Sequence, residues 1–332
     1  MTVFVTGASG FMGLALCEAL LARGERVVGF DLLPPPEVAR SAFARLPGRF
    51  ESRLGDVREA EALTAALRDS GADRLVHLAA VTADADRERR APAQVFEVNV
   101  GGTIAALTAA RAAGVGRIIH VSSGSVYGAS GRDADLLREG ETPLRPEGLY
   151  GISKQAGEAT ALRLADLHGL DLVVGRLGTC FGPWEYATAV RDTPSAPLQV
   201  MLRAARGQKV HLPRPHPRDF LYARDGAAAL LALLDAPKPP HRIYNLAAGF
   251  LWTLEDFCRA LAARRPGFAW DWGAGEDAVA LYAPYDRAPM DCARLCTETS
   301  FIPRYDLAAA LEDYLGWFAD HGALFNSPAS AP

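Results

Sequence analysis

The tightest constraint on this chain sits at its start. Val3, Phe4 and Val5 are followed at once by Thr6-Gly7-Ala8-Ser9-Gly10-Phe11-Met12-Gly13. The first run predicts a buried strand, and the residues from 11 onward predict an apolar helix. The three glycines therefore fall on a strand-to-helix turn. Gly7 suits the tight turn, Gly10 lets backbone approach a pyrophosphate, and Gly13 lets the helix pack closely on the strand. A helix beginning there offers unpaired N–H groups and a positive dipole end to phosphate.

The next segments extend this pattern. Short β-branched runs at 3–5, 26–30, 75–78, 117–121 and 171–176 alternate with helical patterns at 11–22, 59–69, 99–113 and 151–167. Such alternation implies parallel strands joined by right-handed crossovers, which is an α/β, Rossmann-like doubly wound sheet. Pro34, Pro35 and Pro36 close the second run as an exposed loop. From Thr179 prolines punctuate the chain, and aromatic residues become more frequent after Tyr244. We expect an NAD-binding domain over 1–178, rejoined by the chain around 219–247. A smaller mixed α/β substrate domain is expected over 179–218 and 248–326, with a tail at 327–332.

Asp31 ends the second run about 20 residues after the glycines. A carboxylate there accepts hydrogen bonds from an adenosine ribose and repels a 2′-phosphate, and no arginine follows immediately to neutralise one. The expected cofactor is NAD. Asp56 and Val57, in Gly55-Asp56-Val57, are placed at the adenine edge, and Leu78-Ala79-Ala80 is a small-residue strand end where a cofactor can lie close. With Phe11, Met12, Asn99, Tyr150 and Lys154 these complete the candidate cofactor set.

Composition narrows the rest. The chain has 332 residues, a formal net charge of −4 and 22% charged residues, which gives no reason to expect nucleic acid. Arg87, Arg89 and Arg90 lie among acids and read as a solvated face. The five cysteines, Cys17, Cys180, Cys258, Cys292 and Cys296, contain no CxxC pair, so neither a disulfide framework nor a metal site is expected. No apolar run reaches the ~18 residues of a membrane span, and residues 1–30 lack a cleavable-leader pattern. A reducing, cytoplasmic setting is the default expectation.

The chemistry is concentrated in two further segments. Val121-Ser122-Ser123-Gly124-Ser125-Val126-Tyr127-Gly128 ends a central strand, and Tyr150-Gly151-Ile152-Ser153-Lys154 opens a helix. The spacing puts Tyr150 and Lys154 on one helical face. A tyrosine working as a base near pH 7 must have its pKa lowered by roughly three units, about 4 kcal/mol. A neighbouring ammonium and an oxidised nicotinamide ring can supply this, while a serine hydroxyl opposite holds the substrate oxygen.

With these segments in order, the chain resembles the extended short-chain dehydrogenase/reductases, in particular the NAD-dependent epimerase/dehydratase group that includes UDP-galactose 4-epimerase. The likeness runs through TGASGFMG, GDV at 55–57, HLAA at 77–80, NVGGT at 99–103, SSGSVYG and YGISK. It continues into Arg218-Asp219-Phe220 and from Arg287-Ala288-Pro289-Met290-Asp291 to Leu315-Gly316-Trp317. The resemblance implies a catalytic trio of Ser123, Tyr150 and Lys154, with Ser125 beside it. It also implies that Arg218 and Arg287 meet the diphosphate of a sugar nucleotide, the alternative being ordinary ion pairs. Dehydratases of the group carry an acid just after the catalytic serine or threonine, whereas Gly124 and Ser125 stand here. Sugar-nucleotide members carry Asn three residues after the arginine ending the strand, and here Arg176 is followed by Thr179. Trp184 and its neighbours Arg191 and Asp192 suit recognition of a compact group, and Trp184 suits packing equally well.

Three readings follow. The first is an epimerase of a sugar nucleotide, at C4, through a keto intermediate. The second is an NAD-dependent dehydrogenase of a small sugar, sugar acid or alcohol. The third is a non-catalytic NAD sensor, which has no chemical need for Ser123, Tyr150 and Lys154 together. The Ala-rich helices at 99–113 and 151–167 are expected to pair two copies as a homodimer.

Overall fold

A computed structural model describes residues 1–188 and 190–325, so the expected tail at 327–332 lies outside the described residues. Among the described residues eleven strands are formed: β1 (Thr2–Thr6), β2 (Arg26–Asp31), β3 (Arg49–Leu54), β4 (Arg74–His77), β5 (Arg117–Ser123), β6 (Leu172–Leu177), β7 (Thr179–Phe181), β8 (Val210–Leu212), β9 (Phe220–Tyr222), β10 (Ile243–Leu246) and β11 (Trp270–Trp272). Seven make one sheet in the order β10-β6-β5-β4-β1-β2-β3, parallel throughout. The doubly wound α/β architecture is present. After β6 the chain leaves this sheet and re-enters it as β10. Two small parallel pairs, β7 with β9 and β8 with β11, form outside it.

Apart from its edge strand β3, the sheet is buried on both faces, as suits strands that are apolar without alternation. Val3 and Val5 face one cluster and Phe4 the other; Ile119 and Val121 likewise oppose Ile118. The helix Phe11–Ala22 is apolar nearly all round. It needs cover beyond the sheet, and the helix Ala223–Asp235 provides it. Across the sheet lie the helices Ala60–Ser70, Gly102–Ala113 and Leu149–His168. Among the described residues no helix is long and apolar enough to cross a membrane.

Several expectations need revision. β3 was not anticipated, since its Arg49, Ser52, Arg53 and Leu54 are exposed at the sheet edge. The proline loop is only partly exposed, because Pro35 is buried. Arg89 is solvated beside Asp86, but Arg87 turns inward and grips Asp192 at 2.5 and 2.7 Å.

Candidate active site

Parallel sheets place their loops at the carboxyl ends of the strands, and a crevice opens where the strand order reverses. Here that point lies between β1 and β4. A cleft of about 680 Å³ sits over it, within the range for small-molecule sites. Its floor is the glycine turn. Gly7 has φ +70° and donates its N–H to Phe30 at 3.0 Å. A Cβ on Gly13 would stand 1.9 Å from the Gly7 carbonyl oxygen, so only glycine permits this helix-to-strand approach. The N–H groups of Phe11, Met12 and Gly13 have no preceding helical turn to bond to, and all three residues line the cleft.

Asp31 stands at the end of β2. Its carboxylate already accepts the N–H groups of Ser9 at 2.9 Å and Leu32 at 2.7 Å. Burial raises its pKa, and those N–H bonds work in the opposite direction. The residues thus fit a dinucleotide: a glycine cradle, a helix N-terminus for phosphates, and a carboxylate fixed at the ribose position. Leu78 and Ala80 line the cleft, and the Ala79 backbone presses on Gly7, whose missing Cβ would meet the Ala79 nitrogen at 2.7 Å.

Four predicted site residues are placed elsewhere. Asp56 is claimed by Arg58 at 2.6 Å, which holds its carboxyl below its ordinary value. Val57 packs beneath Gly102. Asn99, on a π-helical turn at Glu97–Gly101, is buried. It brackets Val81 through both N–H (2.8 Å) and C=O (3.0 Å), and donates to the Ser153 hydroxyl at 2.9 Å. It therefore positions the loop after β4. Trp184 is wholly buried against Phe43, Trp317 and His321, so its ring packs in the core and does not reach the cleft.

Ser123, Ser125, Tyr150, Lys154, Thr179, Arg218 and Arg287 all line the cleft. Ser123 arrives at the end of β5, where its hydroxyl oxygen accepts the Ser125 N–H at 3.1 Å and its O–H donates to the Ser125 oxygen at 3.1 Å. Tyr150 falls in the first turn of the helix Leu149–His168 and Lys154 one turn on. Burial raises the Tyr150 phenol, and the Ser123 hydroxyl and the charge of Arg191 pull it back. The expected pull combines the Lys154 ammonium with an oxidised nicotinamide ring. Here that ammonium donates to the Val121 carbonyl at 2.6 Å, and Arg191 is a further cation that lowers the phenol.

Burial lowers Lys154 from its ordinary 10.5 to about 8, with Glu158 opposing the shift. The folded chain therefore loses this proton before the unfolded chain does. Between about pH 8 and 10.5 the unfolded state binds more protons, so the buried ammonium destabilises the fold fully below pH 8 and less as pH rises. We predict that Lys154→Met gains stability over wild type in urea unfolding near neutral pH. The gain should shrink toward pH 10; a gap that failed to narrow would contradict a buried ammonium here.

The opposite wall is basic. β7 pairs with β9 so that Thr179 stands beside Phe220, and Arg218 bridges to Trp252 just before β9. Arg287 pairs with Asp219 at 2.9 Å. Arg218 is 5% exposed, and its Nε and Nη2 have no partner among the described residues. Burial and the nearby Arg287 lower it to about 10. Tyr186, Cys180, Tyr282 and Tyr285 also line the cleft and were not anticipated. They come from segments without a motif and reach the cleft only through the tertiary fold, so no local signal marked them.

The sequence pattern of the NAD dependent epimerase/dehydratase family matches residues 3–247. The chain is 32% identical over 235 residues to sterol demethylase protein B of Methylococcus capsulatus, covering 71% of this chain and 66% of that protein. It is 29% identical to dTDP-glucose 4,6-dehydratase of Streptomyces antibioticus (97% and 94% covered). It is 30% identical to UDP-glucose 4-epimerase of Mycolicibacterium smegmatis (79% and 82%). Among solved structures, MoeE5 in complex with UDP-glucuronic acid and NAD superposes with a TM-score of 0.75 at 25% identity, covering 96% of this chain and 99% of that one.

Proposed function

The chain belongs to the NAD-dependent epimerase/dehydratase family, and from that premise we propose that it inverts C4 of a sugar carried on a nucleoside diphosphate. The observation that carries this reading is the facing of two walls. One bears Ser123, Tyr150 and Lys154; the other bears Arg218, a buried guanidinium with two unpartnered nitrogens. An unpaired buried charge is costly unless a ligand meets it, and phosphate oxygens suit a guanidinium fork.

In this reading Gly7, Gly10, Phe11, Met12, Gly13 and Asp31 hold the cofactor, with Lys154 at the nicotinamide ribose. The cofactor held there would supply reversible hydride transfer at the carbinol carbon. Tyr150 removes the hydroxyl proton and later restores it, and Ser123 steadies the oxygen as its charge changes. Dehydration fits poorly. A Cβ at position 124 would stand 2.5 Å from the Met290 sulfur and 2.8 Å from Arg287 Nη1, so an acid there would require the ends of both side chains to shift.

A second reading, net dehydrogenation of a smaller alcohol, is favoured by Thr179 in place of Asn and by the likeness to a protein named for sterol demethylation. The two part in one experiment. Incubation with UDP-, GDP- and dTDP-sugars and free sugar acids, with and without added NAD⁺, is expected to yield epimers without net NADH. Stoichiometric NADH from a free substrate would overturn the proposal. The same proposal includes a homodimer through the helices Gly102–Ala113 and Leu149–His168, on which Ile104 and Leu167 stand exposed. Sedimentation would then report twice 35.5 kDa; a monomer at working concentration would exclude it.

A further inference from the structure

We infer that Arg191 reads a carboxylate on the sugar, making a nucleotide-linked sugar acid the preferred substrate over the neutral sugar. This rests on the nucleotide-sugar reading above. Arg191 belongs to the segment between β7 and the helix Ala196–Ala205, and it lines the cleft with Tyr150 and Ser123. Its guanidinium is fixed from behind. Nη2 lies 2.8 Å from Glu185 Oε1 and donates to the Tyr282 hydroxyl at 2.8 Å, while the group lies 5.1 Å over the Phe11 ring.

The ion pair is lopsided. The Glu185 side chain is 0% exposed, and it also accepts the Ser195 N–H at 2.7 Å and the Ser195 hydroxyl at 2.5 Å. The Arg191 side chain is 21% exposed. The acid is sealed in the core and the cation faces the cleft. Beyond Glu185, the acids Asp192 and Glu147 are engaged elsewhere, Asp192 by Arg87 and Glu147 by Arg132 at 2.8 Å.

Tyr150, Ser123 and Lys154 divide the proton transfer, and Arg191 bears on it only through its charge while it neutralises Glu185. The diphosphate has a separate basic group. Arg218 has Arg287, Asp219, Asp286 and Arg214 as its charged neighbours, whereas the groups around Arg191 are Glu185, Tyr282 and Cys180. Arg191 is also the cation whose charge reaches the Tyr150 phenol. An anion meeting it in the cleft would share that lining with Tyr150 and Ser123. A planar carboxylate matches a guanidinium in shape and charge, and a charged hydrogen bond of this kind is worth roughly 10- to 100-fold in selectivity.

The test compares UDP-glucuronate with UDP-glucose, which differ only at C6, on wild type, Arg191→Met and Arg191→Lys. Wild type is expected to favour the acid in kcat/KM by about tenfold or more. Arg191→Met should collapse that ratio to near one, and Arg191→Lys should leave it intermediate. Equal losses on both substrates, or no preference in wild type, would overturn the inference. So would a fall in NAD affinity in Arg191→Met with the ratio intact, which would assign the cation to the cofactor's phosphates. Free glucuronate and glucose run alongside. Turnover of the free acid alone would sink the nucleotide reading, while an Arg191-dependent preference for that acid would uphold the carboxylate site.

Discussion

Tyr150→Phe is expected to lower kcat by about 10²- to 10⁴-fold, the range for removing a positioned acid–base. NAD affinity should stay near the wild-type value. The ring keeps its packing at the start of the helix Leu149–His168, and the glycine cradle and Asp31 are untouched. The loss should fall on kcat more than on KM, because the phenol acts on the substrate proton and contributes little to holding the nucleotide. Steady-state rates and a cofactor titration followed by fluorescence separate the two. Turnover at the wild-type level would remove Tyr150 from the chemistry. The starting point matters for the pH profile too. Burial places the phenol above its ordinary value, with Ser123 and Arg191 opposing the shift, and an oxidised nicotinamide ring held nearby would add to that downward pull.

Glu158→Leu should cost about 3–5 kcal/mol of stability, because it strands a buried guanidinium. Glu158 and Arg176 join the helix Leu149–His168 to β6 through bonds of 2.5 and 3.0 Å, with side chains 4% and 3% exposed. Arg176 also donates to the Tyr127 hydroxyl at 3.0 Å, and that hydroxyl donates to Asn245 on β10 at 2.9 Å. The network lies behind Ser123, so its loss is expected to loosen the catalytic strand end as well as the fold. Adding Arg176→Met to Glu158→Leu should recover much of the loss, since apolar pairs often replace buried ion pairs at little cost. Urea unfolding of the four variants in the cycle measures the coupling. If the double variant were as unstable as the sum of the singles, the penalty would not come from an uncompensated charge.

The contrast between these two predictions shows what could be read in advance. The glycine turn, Asp31 and the Tyr150–Lys154 spacing each lie within one or two neighbouring elements, where short-range rules apply, and so did the alternation of strands and helices. β3 escaped because an edge strand is half solvated and carries charges that mask its periodicity. Trp184 was ambiguous because an aromatic residue near a site suits packing as well as binding, and only the fold brings Phe43 and Trp317 to its ring. Asp56 looked available, yet Arg58 two residues away closes on it. Arg191 was noticed but its role was not, because the asymmetry of its pair with Glu185 depends on which partner the core seals.

The union of the helices Phe11–Ala22 and Ala223–Asp235 also governs how this protein is made. Met12, beside the glycine turn, lies against Gly226, where a Cβ would meet its methyl at 2.8 Å. On the ribosome the amino-terminal segment emerges first, and its apolar helix stays uncovered until the chain has been extended past residue 235 and β10 has closed the sheet. A nascent chain stalled after β6 would expose an oily flank beside a nearly finished cofactor cradle. The cofactor half is therefore translated early but completed late.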